Sequence, residues 1–273
     1  MRYVACESSI LLREFLFKQN LSKKAIKAIK TKGDILVNGS HQSVRYILNK
    51  GDIIELIWPL ENNELSSYDI NLKIYYEDPY YLVVDKPAGL PSIPTRRYPD
   101  KTLANALSAY YRKNNINAAI HLVNRLDKDT QGLLLVAKDR YSHYLLSKDI
   151  KQVKRVYHCL VDGKLEGFGT IDKAIAKVEN SVKRIISDTG KKAVTHYQVI
   201  ESGNQQSKVR CVLETGRTHQ IRVHLASLHH PLTGDSLYGS NIDIKYYLDS
   251  VELSFIHPYT NQLIEIKGSV KNL

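Results

Sequence analysis

The stretch His121-Leu-Val-Asn124-Arg125-Leu126-Asp127-Lys128-Asp129-Thr130-Gln131-Gly132-Leu133-Leu-Leu-Val-Ala137-Lys138 sets both the architecture and the chemistry to look for. The apolar run Leu133 to Ala137, closed by a Thr-Gln-Gly turn on one side and a lysine on the other, reads as a buried strand. Asp127 stands just before it, directly after Arg-Leu, so a carboxylate is held at the edge of a sheet. Burying an ionised carboxylate is costly unless a cation or several donors face it, and groups kept despite that cost concentrate at reactive sites. Asp127 is therefore the candidate for chemistry. The competing reading of the same residues is a structural ion pair between Arg125 and Asp127 beside a turn.

Outward from this strand the pattern is of short strands interrupted by helices. Strands are expected over 72–76, 81–85, 133–137, 156–161, 194–200, 208–213 and 263–267. Helices are expected after a cap at Asp100 or Thr102 through Leu103, Leu107 and Tyr110, from Arg140 to about Gln152, and from Thr218 to Leu228. Strands in succession with segregated helices indicate an α+β fold with a mixed, mainly antiparallel sheet and peripheral helices.

Upstream, apolar positions from Ile10 to Ile29 keep a helical period that breaks at Asn20 and restarts after Ser22, a suitable N-cap. Gly33 to Gly39 alternates like a strand entering an Asn38-Gly39 hairpin turn, and Gly51 to Leu56 closes it. Lys23, Lys24 and Lys27 lie on the second helix. The polar, aperiodic run after Pro59 suits a linker over 59–67, between a small α/β domain at 1–58 and a larger domain at 68–273.

Bulk properties point toward a polyanion. Lys and Arg number 39 against 28 Asp and Glu, a formal charge of +11 over 273 residues, which makes nucleic acid the first partner to test. Cys6, Cys159 and Cys211 form no Cys-x-x-Cys pair, so neither a zinc knuckle nor a disulfide scaffold is indicated. No apolar run approaches the ~20 residues that span a bilayer. The expectation is a cytoplasmic protein, monomeric by default, with no membrane association.

Three further segments carry polar groups where chemistry could use them. In Lys154-Arg-Val-Tyr157-His-Cys159-Leu-Val161, alternation puts Tyr157, Cys159 and Val161 on one face. In Glu214-Thr-Gly216-Arg217-Thr218-His219-Gln220-Ile221-Arg222-Val-His224-Leu225, the stripe Ile221, Leu225 and Leu228 faces inward. Arg222 flanks that stripe within reach of a buried carboxylate, while Arg217 and His219 face outward. Lys86, at the Lys-Pro turn ending the strand after Tyr80, either touches RNA phosphate or is a solvated turn lysine.

Residues 8–58, through Leu21-Ser22-Lys23, Val37-Asn38-Gly39 and Gly51-Asp52, resemble the alpha-L RNA-binding module. Together, the Arg-Leu-Asp loop, the Asp85-Lys86-Pro87-Ala88-Gly89 turn, the Tyr157 strand, Gly216 to Arg222 and His230 to Gly239 resemble the catalytic domain of RluA-type pseudouridine synthases. An alpha-L module fused ahead of that domain is typical of the members that act on large-subunit rRNA. The resemblance implies isomerisation of uridine in structured RNA with neither cofactor nor metal. It implies that Asp127 acts on ribose or base, that Tyr157 stacks on the base and transfers a proton, and that Arg222 pairs with the acid. It also implies that Arg125 fills the space of the extruded base, and that Lys86 and Arg217 attend the RNA. Lys23, Lys24, Lys27 and Asn38 would contact RNA from the small domain. The chain departs from the family's usual pattern at Asn124 for His, Gln131 for Ser and His229 for Gly, which implies an altered loop network around a retained reaction.

Physically, a cation beside Asp127 is expected to lower its pKa and keep it ionised. Two other classes remain: a non-catalytic RNA-binding or ribosome-assembly factor of the same fold, and a metal-dependent nuclease suggested by His219, His224, His229 and His230. His219 and His224 are five apart and so turn to different helical faces, which does not make a metal site.

Overall fold

A computed structural model describes residues 1–19, 21–59 and 61–269. The helical break read at Asn20, Leu60 of the expected linker and residues 270–273 lie outside the described residues. The chain forms two compact units, Met1–Asn62 and Asn63–Leu273.

The first unit runs β1 (Arg2–Val4), β2 (Ile10–Leu11), α1 (Leu12–Lys18), α2 (Lys23–Lys32), β3 (Asp34–Val37), β4 (Ser40–His41), β5 (Ile47–Leu48) and β6 (Ile53–Ile57). Ser22 caps α2 by accepting the Ala25 N–H at 3.1 Å. Ile26 and Ile29 are buried beneath the helix while Lys23, Lys24 and Lys27 stand in solvent. The β3–β4 turn places Asn38 and Gly39 at φ 52° and 80°, the pair of left-handed residues that a tight hairpin requires. Asn38, expected to contact RNA, spends its side chain on the fold: Nδ2 donates to Asp52 and Oδ1 accepts the Ile53 N–H, both at 2.9 Å.

In the second unit the elements are β7 (Lys73–Glu77), β8 (Tyr81–Lys86), α3 (Leu103–Lys113), β9 (His121–Leu122), β10 (Gln131–Ala137), α4 (Arg140–Ser147), β11 (Val153–Asp162) and β12 (Phe168–Asp172). The chain continues through β13 (Ile175–Lys177), β14 (Arg184–Ile186), β15 (Val194–Ser202), β16 (Gln206–Leu213), α5 (Gln220–Ala226), β17 (Leu248–Ile256) and β18 (Leu263–Lys267). One sheet has the order β12-β15-β16-β11-β17-β10-β8-β7, with β18 beside β17 and β9 beside β10. All its pairs are antiparallel except β10 with β17. The fold is α+β with a mixed, mainly antiparallel sheet.

The unbroken apolar run of β10 follows from burial on both faces. Leu134 and Val136 join Leu82, Val84, Leu103, Leu107 and Tyr111 in one core, and Leu133, Leu135 and Ala137 join Tyr81, Val83, Leu146 and Phe255 in the other. Expected boundaries shift at one helix and at the linker. The segment expected as one helix to Gln152 stops at Ser147 and resumes as a 3-10 turn at Ile150. Residues 63–67, expected as linker, are tied to α3: Arg112 donates to the Leu65 carbonyl at 2.7 Å and Asn105 Nδ2 to the Ser66 carbonyl at 3.0 Å.

β17 occupies the middle of the sheet, between β11 and β10, yet was not among the expected strands. Asp249, Ser250, Glu252 and Ser254 interrupt its apolar residues, so it lacks the continuous run that marks a central strand. Two of those polar positions, Asp249 and Ser250, lie where β17 pairs with β10. Gly132 pairs with Ser250 where the two strands run parallel, and a Cβ on Gly132 would lie 2.3 Å from Asp249 Oδ1 and 2.4 Å from the Ser250 carbonyl oxygen. Only glycine passes there, at φ 99°.

Candidate active site

Asp127 sits on the loop between β9 and β10, and both its neighbours are anchored. Ser92 accepts the Leu126 N–H at 3.1 Å and donates to the Leu126 carbonyl. On the other side the Lys128 carbonyl accepts the Gly89 N–H at 2.9 Å and the Lys86 ammonium at 3.0 Å. The carboxylate is thereby presented to a cleft whose walls include Arg125, Thr130, Tyr157, Arg217, His219 and Arg222. Five residues read from sequence, Asp127, Tyr157, Arg222, Arg125 and Arg217, meet in this one cleft.

Tyr157 projects from β11 and is 4% exposed. Burial pushes its phenol above the ordinary value, with Arg155, Ser250 and Asn124 drawing it back. Asn124, the departure from the family pattern, is fixed by accepting the Leu135 N–H at 2.8 Å. Gln131, the second departure, donates to Asp249 at 3.3 Å.

Arg222 enters from α5, where it flanks the inward stripe as expected. Its chief partner is different from the expected one. Nε and Nη2 bind Asp235 Oδ2 and Oδ1 at 2.6 and 2.8 Å, a buried bidentate pair, while Nη1 stands 3.8 Å from Asp127 Oδ2. Tyr238 and Tyr246 flank the guanidinium, with ring centroids 5.0 and 4.7 Å away. Asp235, Tyr238 and Tyr246 were not singled out in the sequence. All three lie in a turn-rich segment with no period, and the spacing Arg222 to Asp235 crosses a helix end and a loop.

The expectation that a neighbouring cation lowers the pKa of Asp127 is overturned. Burial raises it, and Arg222, Lys86 and a hydrogen bond from the His219 backbone offset only part of the rise. Arg222 has committed two of its nitrogens to Asp235, so its charge reaches Asp127 without a hydrogen bond at normal distance.

Lys86 is corrected as well. It is fully buried and donates to the carbonyls of Pro87, Leu90 and Lys128 at 2.9, 2.7 and 3.0 Å, so it cannot meet a phosphate. Burial pushes its ammonium down to about 7, against the pull of Asp127, Asp129 and Asp85. Lys86 braces the acid's loop from behind.

The helix expected from Thr218 starts at Gln220, with His219 in the cap position at φ 58° and no side-chain capping bond. Its imidazole turns inward to Tyr238, 2.8 Å from the hydroxyl, and does not face outward as expected. Gln220 secures the preceding turn: its Oε1 accepts from Thr215 Oγ1 and the Arg217 N–H, and its Nε2 donates to the Val194 carbonyl.

A second depression adjoins the cleft and shares Arg125 and Arg217 with it. This groove, about 390 Å³, runs along the β13–β14 hairpin and carries Lys177, Arg184 and Lys191, with no acidic side chain among its lining residues. Arg217 Nε donates to the Lys192 carbonyl at 2.9 Å, which joins the segment leaving the hairpin to the cleft.

An acid, a buried phenol and an arginine converging from three separate elements, beside a groove of cations, is an arrangement for handling a nucleotide. The family model for RNA pseudouridylate synthase matches residues 80–227, which hold Asp127, Tyr157 and Arg222. The chain belongs to the RNA pseudouridine synthases, which isomerise uridine to pseudouridine in RNA. A Bacillus subtilis relative named "Uncharacterized RNA pseudouridine synthase YjbO" is 40% identical over 260 residues, 92% of each chain. The ribosomal large subunit pseudouridine synthase D of Pseudomonas aeruginosa is 40% identical over 218 residues, 78% of this synthase and 68% of that one. Among solved structures, human RNA pseudouridylate synthase domain containing 1 superposes with a TM-score of 0.58 at 26% identity, covering 72% of this chain and 83% of its own. Among the described residues no helix of this synthase is long and apolar enough to cross a membrane.

Proposed function

We propose that this synthase acts in the cytoplasm, as a monomer, on large-subunit ribosomal RNA, and that Asp127 is its reactive group. The observation that carries the reading is the convergence of Asp127, Tyr157 and Arg222 on one cleft. The relatives named for the ribosomal large subunit support the RNA class, as do the lysines that α2 presents to solvent.

The reaction rearranges bonds within one nucleotide. The bond from the ribose to the ring nitrogen breaks, the base turns, and a carbon–carbon bond forms with loss of the proton on that ring carbon and gain of one on nitrogen. Nothing is oxidised, so ionisable side chains suffice. Asp127 attacks ribose or base, or takes a ribose proton, and each of these needs the carboxylate form. The Arg222 charge supports that form, although burial opposes it. Tyr157 gives the detached base a buried aromatic surface and a phenol that can relay the ring-carbon proton.

A uridine reaches this cleft only after leaving its stack, at a cost of a few kcal/mol that contacts elsewhere must offset. The cleft offers about 40 Å³ of free space, room for a few waters and too little for a pyrimidine base. Base entry therefore displaces side chains, and the exposed Arg125 at the junction with the groove is free to move into the vacated stack. Phosphates flanking the flipped nucleotide lie along Lys177, Arg184 and Lys191.

Mapping pseudouridine in RNA from cells with and without the gene tests the reading. Sites lost on deletion return with the wild-type gene, and with Asp127→Asn the rate stays down by about 1,000-fold or more, the scale of losing a covalent catalyst. Restoration by Asp127→Asn, or a pseudouridine map that deletion leaves unchanged, overturns it.

A further inference from the structure

We propose that the loop between β8 and α3, together with the exposed Lys128 beside Asp127, forms a further surface for the RNA backbone, built from Arg96, Arg97, Tyr98 and Lys128. The inference rests on the reading of Asp127 as the reactive acid, since these residues are fastened to that acid's loop.

Arg96 and Arg97 are the tip of a tight turn. Thr95 and Tyr98 exchange backbone hydrogen bonds at 3.0 and 3.1 Å, and Thr95 Oγ1 also accepts the Tyr98 N–H at 3.2 Å. Pro94 and Pro99 bracket the turn with fixed φ. The tip is therefore held in shape before any ligand arrives, and both arginines are exposed on it.

The ring of Tyr98 gathers cations. Arg97 lies 5.5 Å from its centroid and Lys128 5.0 Å, and the Lys128 ammonium also donates to the Tyr98 hydroxyl at 3.0 Å. Arg96, Arg97 and Lys128 form no ion pair, although Asp100 and Asp129 lie close by in sequence. Like charges collected on one ring and left unpaired suit a polyanion, whose phosphates supply the missing charge. Arginines at the tip match that partner further, because a guanidinium offers two parallel N–H donors to phosphate oxygens.

Three contacts fasten this surface to the acid. The Gly89 N–H donates to the Lys128 carbonyl at 2.9 Å, Ser92 bonds both the N–H and the carbonyl of Leu126, and Lys128 reaches Tyr98. Asp127 lies between the anchored Leu126 and Lys128, so a strand gripped by Arg96, Arg97 and Lys128 is held in register with the carboxylate. None of the four residues lines the cleft or the basic groove, which makes this a separate contact region.

Equilibrium binding of an unmodified large-subunit RNA fragment tests the proposal, followed by fluorescence anisotropy at several salt concentrations, with kcat and thermal melting measured alongside. Arg96→Ala, Arg97→Ala and Lys128→Ala are each expected to weaken binding by about 3- to 10-fold and to lower the salt slope by about 0.7–0.9, the share of one phosphate contact. Their kcat stays within about 3-fold of the parent, because a contact to flanking phosphates acts on bound and reacting RNA alike. Tyr98→Ala, which removes the gathering ring, weakens binding by about 10-fold, and Tyr98→Phe, which keeps it, by less than about 3-fold. Lys148→Ala and Lys154→Ala remove the same charge from exposed positions elsewhere on the unit and stay within about 2-fold.

Variants of the surface that bind as the Lys148 and Lys154 controls do, with the parental salt slope, overturn the proposal. A loss confined to kcat also overturns it, and would make Lys128 a brace for Asp127. If Lys128→Ala melts below the assay temperature, Arg96→Ala and Arg97→Ala decide, since both lie outside the acid's loop. A parent protein that binds RNA but forms no pseudouridine would instead sink the functional reading, and the binding comparison would still stand.

Discussion

Two carboxylates of the second unit, Asp78 at the turn between β7 and β8 and Asp127 in the cleft, have almost equally accessible side chains, 18% and 23% exposed. Their acidities are shifted in opposite directions. Burial raises both, but Asp78 accepts from the backbone N–H groups of Tyr80 and Tyr81 at 2.7 and 2.6 Å, from the Tyr76 hydroxyl, and from His257 Nε2 at 2.9 Å. Those donors outweigh desolvation and hold its pKa below the ordinary carboxylate value. Asp127 has a guanidinium at 3.8 Å and one backbone donor, and its pKa lies above the ordinary value. Asp127 is the more deeply desolvated of the two and has the fewer donors, and both differences set the reactive acid apart from the structural one. Saturated oxygens close a turn. Unsaturated oxygens facing a cleft keep lone pairs for a substrate.

Asp235 maintains that difference, because it holds two nitrogens of Arg222 away from Asp127. Asp235→Ala therefore gives the largest expected change. Breaking a buried bidentate pair costs about 3–5 kcal/mol in stability, read by urea unfolding. The freed guanidinium closes on Asp127 and makes it resemble Asp78, so kcat falls by about 100-fold, of the order seen when one well-placed electrostatic group is disturbed. A variant that stays folded and keeps parental kcat would break the comparison.

Asp78→Asn is the middle case. The amide replaces one accepting oxygen with a donor that faces other donors, at about 1–3 kcal/mol. Stability falls by that amount while the rate per folded molecule stays at the parental value. A drop in rate without a drop in stability would mean that the Asp78 turn belongs to the reaction.

Much of this site was legible in the residues because it depends on short-range rules. Arg125-Leu-Asp127 ahead of an apolar run marks a charge at a sheet edge, strand alternation puts Tyr157 on an inward face, and helical spacing puts Arg222 beside the inward stripe. Ser22 and Thr102 declare helix starts through their own hydroxyls. The remainder depends on which loops meet. Lys86 looks like any turn lysine until the carbonyls of Leu90 and Lys128 converge on it. The Asp235 partnership spans thirteen residues and two conformational regimes. β17 is polar where it passes Gly132, so the strand that carries the sheet's centre reads like a loop. Even the sign of the Asp127 shift was hidden, because adjacency of a cation is visible in a motif and the prior claim of Asp235 on that cation is not.

The smallest effect is also the most direct contrast, since it asks the two acids for opposite slopes. A carboxylate in the unfolded chain titrates near ~3.9. Asp78, held lower when folded, contributes stability above that value and loses it as pH falls through its folded pKa. Asp127, held higher when folded, contributes stability fully below the unfolded value and loses it as pH rises through its folded pKa. The difference in unfolding free energy between Asp127→Asn and parent should therefore favour the variant at neutral pH and shrink toward zero near pH 4. For Asp78→Asn the parent should lead at neutral pH, and its lead should shrink only below pH 4. Chemical denaturation at several pH values reads both slopes. Slopes of the same sign would mean that neither desolvation nor donor count sets the two acids apart, and that the reactivity of Asp127 has another origin.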